Sequence, residues 1–371
     1  MVQAKATRLD FLDGIRGLAA LYVAFFHGTV QQYGLMSINP QRYWIITSGA
    51  HHSVGVFIVL SGYCLMLPVL RTGNLTLPKG FVNYITRRAK RLLPPYYAAL
   101  GLSILLVVLS LKLIHGPTNR DLVGSLSPGV ILSHIFMVHN LKYDWARSLN
   151  GPLWSLAAEW QLYLLFPLVL LPLYRRFGGI VTIVSGYCIG LLASYVSPKE
   201  QSVGYAAFWF IGLFAFGMTA AKISHTLSDS KSPKIPWGVV TASVVLASII
   251  AGIFVPDLFQ LGMNWFSNAI VGLVTCCLLI YCTKKVKSDG QSRLVAVLAS
   301  KPLVAIGTFS YSIYLTHRLT QGVFFAVLTR LHLSFYKSLA SMIVVGMPLV
   351  VFCGWIFFLL IERRCLNTRP T

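Results

Sequence analysis

Arg16 and His27 are the two residues with the most chemistry to offer. They bracket the apolar run LAALYVAFF in the pattern Arg-x10-His. At ~100° per residue, that interval brings both side chains to nearly the same face of a helix, ~16 Å apart along its axis. If Arg16 lies at a membrane edge, His27 lies near the midplane. Ionisable groups are costly in hydrocarbon, so such a stripe faces a bundle interior or a watery cavity and marks a functional path. The plainer reading is a capping arginine and a histidine hydrogen-bonded inside the bundle. Asp13, three residues before Arg16, can pair with it, or can serve a helix start, where acids are favourable.

A second basic cluster, TRRAKRLLPPYY, sets Arg88 and Arg91 at i and i+3 with Arg87 alongside. Guanidinium forks pair bidentately with phosphate, which suits a nucleotide-bearing donor such as a coenzyme A thioester. Spacing alone more often means topology or contact with anionic headgroups. In NGPLWSLAAEWQLYLLFP, Glu159 is the one acid well inside an apolar span, with Tyr163 four positions on; the other nine acids fall in loops or at ends. An intramembrane carboxylate needs a proton, an arginine or a histidine as partner. Trp154 and Trp160 read as interfacial anchors or as walls of a sugar or acyl pocket. In GTFSYSIYLTHR, the residues Ser310, Tyr311, Tyr314 and His317 form a polar stripe that could hold a hydroxylated acceptor or bridge helices. His51 and His52 stand at the mouth of another span. There is no zinc spacing, HExxH, phosphate loop or GxSxG, so metal and serine-hydrolase chemistry have no support.

These residues need helices to hold them. The chain has 371 residues, 56% hydrophobic and 11% charged, with mean hydropathy +0.70. Soluble domains carry about a quarter charged residues, so the deficit points to a membrane protein. Apolar stretches near the ~20 residues of a spanning helix recur at 17–34, 52–70, 92–114, 153–174, 179–197, 203–222, 237–256, 263–283, 302–325 and 338–361. The expected fold is all-α, a polytopic transmembrane bundle of about ten helices with both termini cytoplasmic. One membrane domain covers 8–364, followed by a short tail, 365–371. Segment 128–140 is too short to span and reads as re-entrant or interfacial.

Net charge is +21, which raises the question of nucleic acid. Alternating through ten spans puts 22 of the 31 basic residues on one side, including Lys5, Arg8, Arg16, Arg71, Lys231, Lys234 and Arg369. Eight fall on the other side, and Lys112, within a span, is unassigned. This is the positive-inside asymmetry, so the excess sets orientation rather than nucleic-acid binding. The seven cysteines lie in or beside apolar segments without a CxxC pair and read as packing residues. No cleavable signal peptide is evident, and no internal repeat of the inverted-transporter kind stands out.

Five segments in order, RLDFLDGIRGLAALYVAFFH, SVGVFIVLSGY, YITRRAKRLLPPYY, NGPLWSLAAEWQLYLLFP and IGTFSYSIYLTH, resemble the acyltransferase-3 family of integral membrane O-acyltransferases over about residues 8–361. The resemblance implies a ten-helix bundle, most often in a bacterial inner membrane. It also implies transfer of an acyl group, often acetyl, from cytoplasmic acyl-coenzyme A to a hydroxyl of a surface carbohydrate, a lipid-linked glycan, a macrolide or another small molecule. Arg16 and His27 match the family's Arg-x10-His, Arg88 and Arg91 its Arg-x-x-Arg, and Glu159 its Trp-Ser-Leu acid. Some members carry a fused periplasmic hydrolase-like domain; none is expected after ERRCLNTRPT.

In this reading His27 activates the acceptor hydroxyl or briefly carries the acyl group, since histidine has the pKa for such work. Arg88 and Arg91, with Arg87, hold donor phosphates. Arg16 with Asp13 positions the donor arm, and Glu159 orients His27 or the acceptor. Tyr163, Trp154, Tyr311, Tyr314 and His317 contact substrate; no metal is involved. The rival reading is a transporter or flippase of lipid-linked sugars, which leaves the Arg-x-x-Arg cluster without a role. A membrane sensor or structural subunit is a third.

Overall fold

The computed structural model describes residues 9–34, 40–113, 126–196, 206–226, 235–254, 265–288 and 290–366. Lys5, Arg8, Lys231, Lys234, Arg369 and most of the 365–371 tail lie outside the described residues. The described residues are helical throughout, without a strand. Among the described residues, six helical stretches are long and apolar enough to cross a membrane: Ala50–Leu70, Gly80–Ser110, Gly151–Ala193, Trp237–Phe254, Phe266–Lys287 and Phe335–Cys365. The third of these contains a corner at Gly178 (φ 79°, ψ −177°), a backbone that glycine adopts without strain, so it is two helices in series.

Helix α1 (Asp10–Phe26) starts with two acids in its first turn, which complement the helix dipole. It then turns into a π-turn, His27–Gln31, where Gln32 N–H reaches back to the His27 carbonyl. Such turns widen the helix and recur at functional sites. Five more helices shape the site. These are α2 (Pro40–Leu70), α3 (Gly80–Leu113, with Pro94 and Pro95 inside it), α4 (Trp154–Leu165) and the pair α5 (Lys301–Thr308) and α6 (Ser310–Arg330).

The span expected over 302–325 is broken between α5 and α6 at Phe309 (φ −119°, ψ 21°). The cause is tertiary. α5 presses so closely on α1 that a Cβ on Gly307 would lie 1.9 Å from the Asp13 carbonyl oxygen. A Cβ on Gly14 would lie 1.7 Å from the Leu298 carbonyl oxygen. Small residues at a helix crossing allow this approach, which in lipid supplies the dispersion contact that holds helices together. The break frees α6 to run at its own angle, with its polar residues turned inward.

Segment 128–140 forms an eight-residue helix, Pro128–Ile135, followed by a 3₁₀ turn, His139–Leu141. At about 1.5 Å per residue the helix is far too short to span. Tyr96 donates to the His134 carbonyl at 2.9 Å. Gln161 of α4 exchanges two hydrogen bonds with Asn140, at 2.8 and 3.2 Å. This segment therefore packs on the same helices that carry the site. The core is continuous and rich in aromatics, with Phe11, Tyr63, Tyr96, Phe166 and Phe214 fully buried.

Candidate active site

Between α1, α2, α3, α4 and α6 lies a cavity with about 900 Å³ of unfilled space, part of it open to solvent. Its walls bring together residues drawn from the length of the chain: Arg16, Arg88, Arg91, Glu159, Tyr163, Tyr311 and Tyr314, with Ser61 and Cys64 of α2. Val54, Phe57, Ile58, Leu65, Leu92 and Leu156 supply its apolar surface. Three guanidinium groups face one carboxylate, so the cavity is electropositive and suits an anionic ligand with an apolar extension.

Each charged group is held. Arg16 donates through Nη1 to Asp13 Oδ1 at 2.8 Å and through Nη2 to Cys64 Sγ at 3.0 Å. Asp13 itself stays out of the cavity wall and steers Arg16 from behind. Glu159 Oε1 accepts from Ser61 Oγ at 2.7 Å and from Tyr163 OH at 2.5 Å. The carboxylate thus ties α2 to α4. Its hydrogen-bond partners are those two hydroxyls and not His27, so of the two expected roles, orienting His27 or the acceptor, the geometry brings Glu159 to the cavity rather than to His27. Arg87, beside the cluster on α3, does not line the cavity; Arg88 and Arg91, one turn apart, do.

The tyrosines form the far wall. Tyr311 OH donates to the Leu92 carbonyl at 2.9 Å. Tyr314 OH lies 3.1 Å from the Pro152 carbonyl and 2.6 Å from Ser155 Oγ. Beyond Tyr314 stands a second polar group. The His317 ring centroid is 5.6 Å from that of Tyr314, and His317 Nε2 is 2.9 Å from His27 Nδ1. His27 is thus not a wall of the cavity but sits behind Tyr314, paired with His317. Trp154 is also outside the cavity; it stacks on Phe210 at 5.8 Å and tilts over His51 at 6.3 Å.

Some members of this assembly went unflagged by spacing. Ser61 lies in the SVGVFIVLSGY segment, whose hydroxyl was the available signal. Arg318, inside the stretch expected to span over 302–325, is 2% exposed within α6 and donates to the His27 carbonyl at 3.1 Å. Glu362, at the end of the last span, is also 2% exposed and accepts from Ser312 N–H at 3.1 Å and from the Ser312 hydroxyl. Among the described residues no group of three or more metal-ligating side chains forms.

A family model described as an acyltransferase domain matches residues 9–359. The O-acetyltransferase OatA of Staphylococcus aureus (strain NCTC 8325 / PS 47) is 28% identical over 327 residues, which is 83% of this chain and 50% of OatA. YrhL of Bacillus subtilis (strain 168), provisionally named a peptidoglycan O-acetyltransferase, is 26% identical over 333 residues, 82% of this chain and 47% of YrhL. BcsY of Komagataeibacter xylinus, provisionally named a membrane-bound transacylase, is 25% identical over 365 residues, 96% of this chain and 82% of BcsY. The chain spans about half the length of OatA and YrhL. No solved structure matches. With a helical bundle, an electropositive cavity and a family match over nearly its whole length, the chain belongs to the acyltransferase-3 family.

Proposed function

We propose that this protein moves an acyl group, acetyl foremost, from cytoplasmic acyl-coenzyme A to a hydroxyl of a cell-surface or lipid-linked carbohydrate, as a multi-pass protein of a bacterial inner membrane. Residues 8–364 act as one membrane domain with both termini in the cytoplasm. The observation that supports this most is the cavity, with three arginines and one glutamate on its walls and Tyr314 separating it from the His27–His317 pair. A nucleotide thioester has the matching parts: phosphates for Arg88 and Arg91, and a long, weakly polar arm for the apolar wall. Arg16, fixed by Asp13, would guide that arm. The names of OatA and YrhL support an O-acetyl transfer, and that of YrhL a glycan acceptor.

The reaction balances without a metal. His27 takes the proton of the acceptor hydroxyl while that oxygen attacks the thioester carbonyl. The tetrahedral oxyanion collapses and expels the coenzyme A thiolate, which takes the proton back from His27. Trp154 and His51, on the far side from the arginines, would face the acceptor.

The test is turnover of acetyl-coenzyme A by the purified protein in nanodiscs, read as free thiol, together with mass spectrometry of surface glycans from cells with and without the gene. Loss of one acetyl unit per acceptor on deletion is the expected result. His27→Ala should abolish turnover in correctly inserted protein. Absence of acyl-coenzyme A binding with any acceptor would favour transport instead.

A further inference from the structure

The hydrogen bonds around the two histidines fix where their protons are. His317 is fully buried on α6. Its Nδ1 lies 2.7 Å from the Tyr314 carbonyl oxygen and 3.2 Å from that of Ile313. Carbonyl oxygens only accept, so Nδ1 of His317 carries a proton. A second proton would make a buried imidazolium next to the Arg318 guanidinium, and among the described residues no carboxylate contacts the ring. An uncompensated buried charge is expensive, so the ring is neutral. Its Nε2 then presents a lone pair.

The atom facing that lone pair, 2.9 Å away, is Nδ1 of His27. Two lone pairs do not hydrogen-bond, so His27 Nδ1 must donate. The ring planes lie within 13° of each other with centroids 5.1 Å apart, the arrangement of two imidazoles joined edge to edge by an in-plane hydrogen bond. A neutral His27 protonated at Nδ1 has its lone pair on Nε2. Among the described residues nothing else bonds that nitrogen. The Nε2 atom of His27 is therefore left as the acceptor.

We infer that His317 is a positioning residue that locks His27 in the Nδ1-protonated tautomer, so that its Nε2 is the base in the transfer step. The inference rests on the proposed role of His27 as base. It moves His317 from the substrate-contacting role expected from its place in the polar stripe to one that acts through His27. The same helix also clamps the His27 backbone. Arg318 Nη1 donates to the His27 carbonyl, and Gln321 Nε2 donates to the Ala24 carbonyl at 2.6 Å. The ring and the π-turn that carries it are thereby referenced to one element. When Nε2 takes the hydroxyl proton, the positive charge spreads over the ring and strengthens the Nδ1–H bond to His317. The proton later leaves from Nε2 to the thiolate, so His317 gains and loses nothing. A third group that sets the tautomer of a base is the logic of catalytic triads, here with a histidine as the orienting group.

Three variants in nanodiscs separate this inference from the reading beneath it. His317→Phe keeps the ring volume but removes the acceptor. It should lower kcat by about 100-fold or more, with KM for acetyl-coenzyme A within about threefold, because the donor cavity does not include His317. His317→Gln offers an amide oxygen to His27 Nδ1–H and should recover at least tenfold of that loss. His27→Ala should be inactive alone, and adding His317→Phe to it should lower activity no further. If His27→Ala retains turnover, the base reading fails. If His27→Ala is dead while His317→Phe turns over like wild type, the positioning role fails on its own. Should His317→Phe not fold, solid-state NMR of ¹⁵N-histidine-labelled wild type decides. A His27 signal protonated at Nδ1 and bare at Nε2 is expected; the opposite tautomer overturns the inference.

Discussion

Glu159 accepts two hydroxyl hydrogen bonds on one oxygen, from Ser61 of one helix and Tyr163 of its own. That makes it a hub before it is anything else. Replacing it by Gln keeps an acceptor oxygen for both hydroxyls, so the bundle should remain within about 1 kcal/mol of wild type. Replacing it by Leu strands both hydroxyls, at a cost of about 1–3 kcal/mol, read as a lower Tm in detergent. Charge gives a second readout. Glu159 is the only acid on a wall with three arginines, so Glu159→Gln should tighten binding of a nucleotide anion such as 3′,5′-ADP, most visibly at low salt. Unchanged affinity would place the carboxylate outside the field of the bound phosphates. The arginines predict the converse. Arg88→Ala with Arg91→Ala should raise KM for acetyl-coenzyme A by at least about tenfold, and lysine at both positions should restore only part, because a lysine cannot form the bidentate pair. Equal KM in the double alanine variant would remove these residues from the donor site.

At the scale of elements, the sequence showed which helices exist better than how they meet. Hydropathy pointed to an all-helical membrane fold because each apolar run must satisfy its backbone internally in lipid, and among the described residues six helices are long and apolar enough to span. The break at Phe309 was hidden, since nothing in KPLVAIGTFSYS interrupts the apolar pattern; it follows from the crossing of α5 with α1. The His27–His317 pair was hidden for a related reason, since residues 290 apart meet only once α1 and α6 are packed. The arginines and Glu159, by contrast, announced themselves through the cost of a charge inside an apolar run. The α1–α5 crossing can be tested directly. Gly307→Val drives a side chain into the Asp13 carbonyl, 1.9 Å from the new Cβ, and should cost about 1–3 kcal/mol or more while displacing Arg16 and raising KM for the donor. Gly101→Ala is the control, since nothing lies within 4 Å of its new Cβ; its Tm should hold or rise slightly. The 128–141 segment carries a pH signature. Burial pushes the His139 imidazole well below its ordinary value of 6.5; the neighbouring His134 acts in the same direction, and the Leu153 and Ser133 carbonyls oppose it. Burial lowers His134 as well. Folded, both rings stay neutral where the unfolded chain would take up protons, so the segment is fully stable above about pH 6.5 and weakens as pH falls below it. Hydrogen-exchange protection at 128–141, taken relative to the intrinsic rate at each pH, should fall between pH 7 and 5, and unchanged protection would contradict the buried, neutral pair.

For the molecule as a whole, charge does two jobs with the same residues. In the ten-span alternation expected from the sequence, the loops that hold most of the 31 basic residues share a side with Arg88 and Arg91, so the asymmetry that would orient the chain would also decide which compartment supplies the cavity. If the donor is the proposed acyl-coenzyme A, it comes from the cytoplasm, and a cavity whose arginines faced outward would never meet it. On the proposed function, only one of the two orientations is productive. Gly73 is exposed in the open turn between α2 and α3, and Lys142 is exposed beside the short helices; the ten-span alternation expected from the sequence puts Gly73 on the arginine side and Lys142 on the other. Gly73→Cys and Lys142→Cys, each compared with the parent chain to subtract its own cysteines, should label from opposite sides. On intact cells stripped to the inner membrane, an impermeant maleimide should react at Lys142→Cys and not at Gly73→Cys, and inside-out vesicles should reverse the pattern. If Gly73→Cys labels from outside, Arg88 and Arg91 face away from the cytoplasm, and a coenzyme A donor is excluded along with the path from the cavity past Tyr314 to His27.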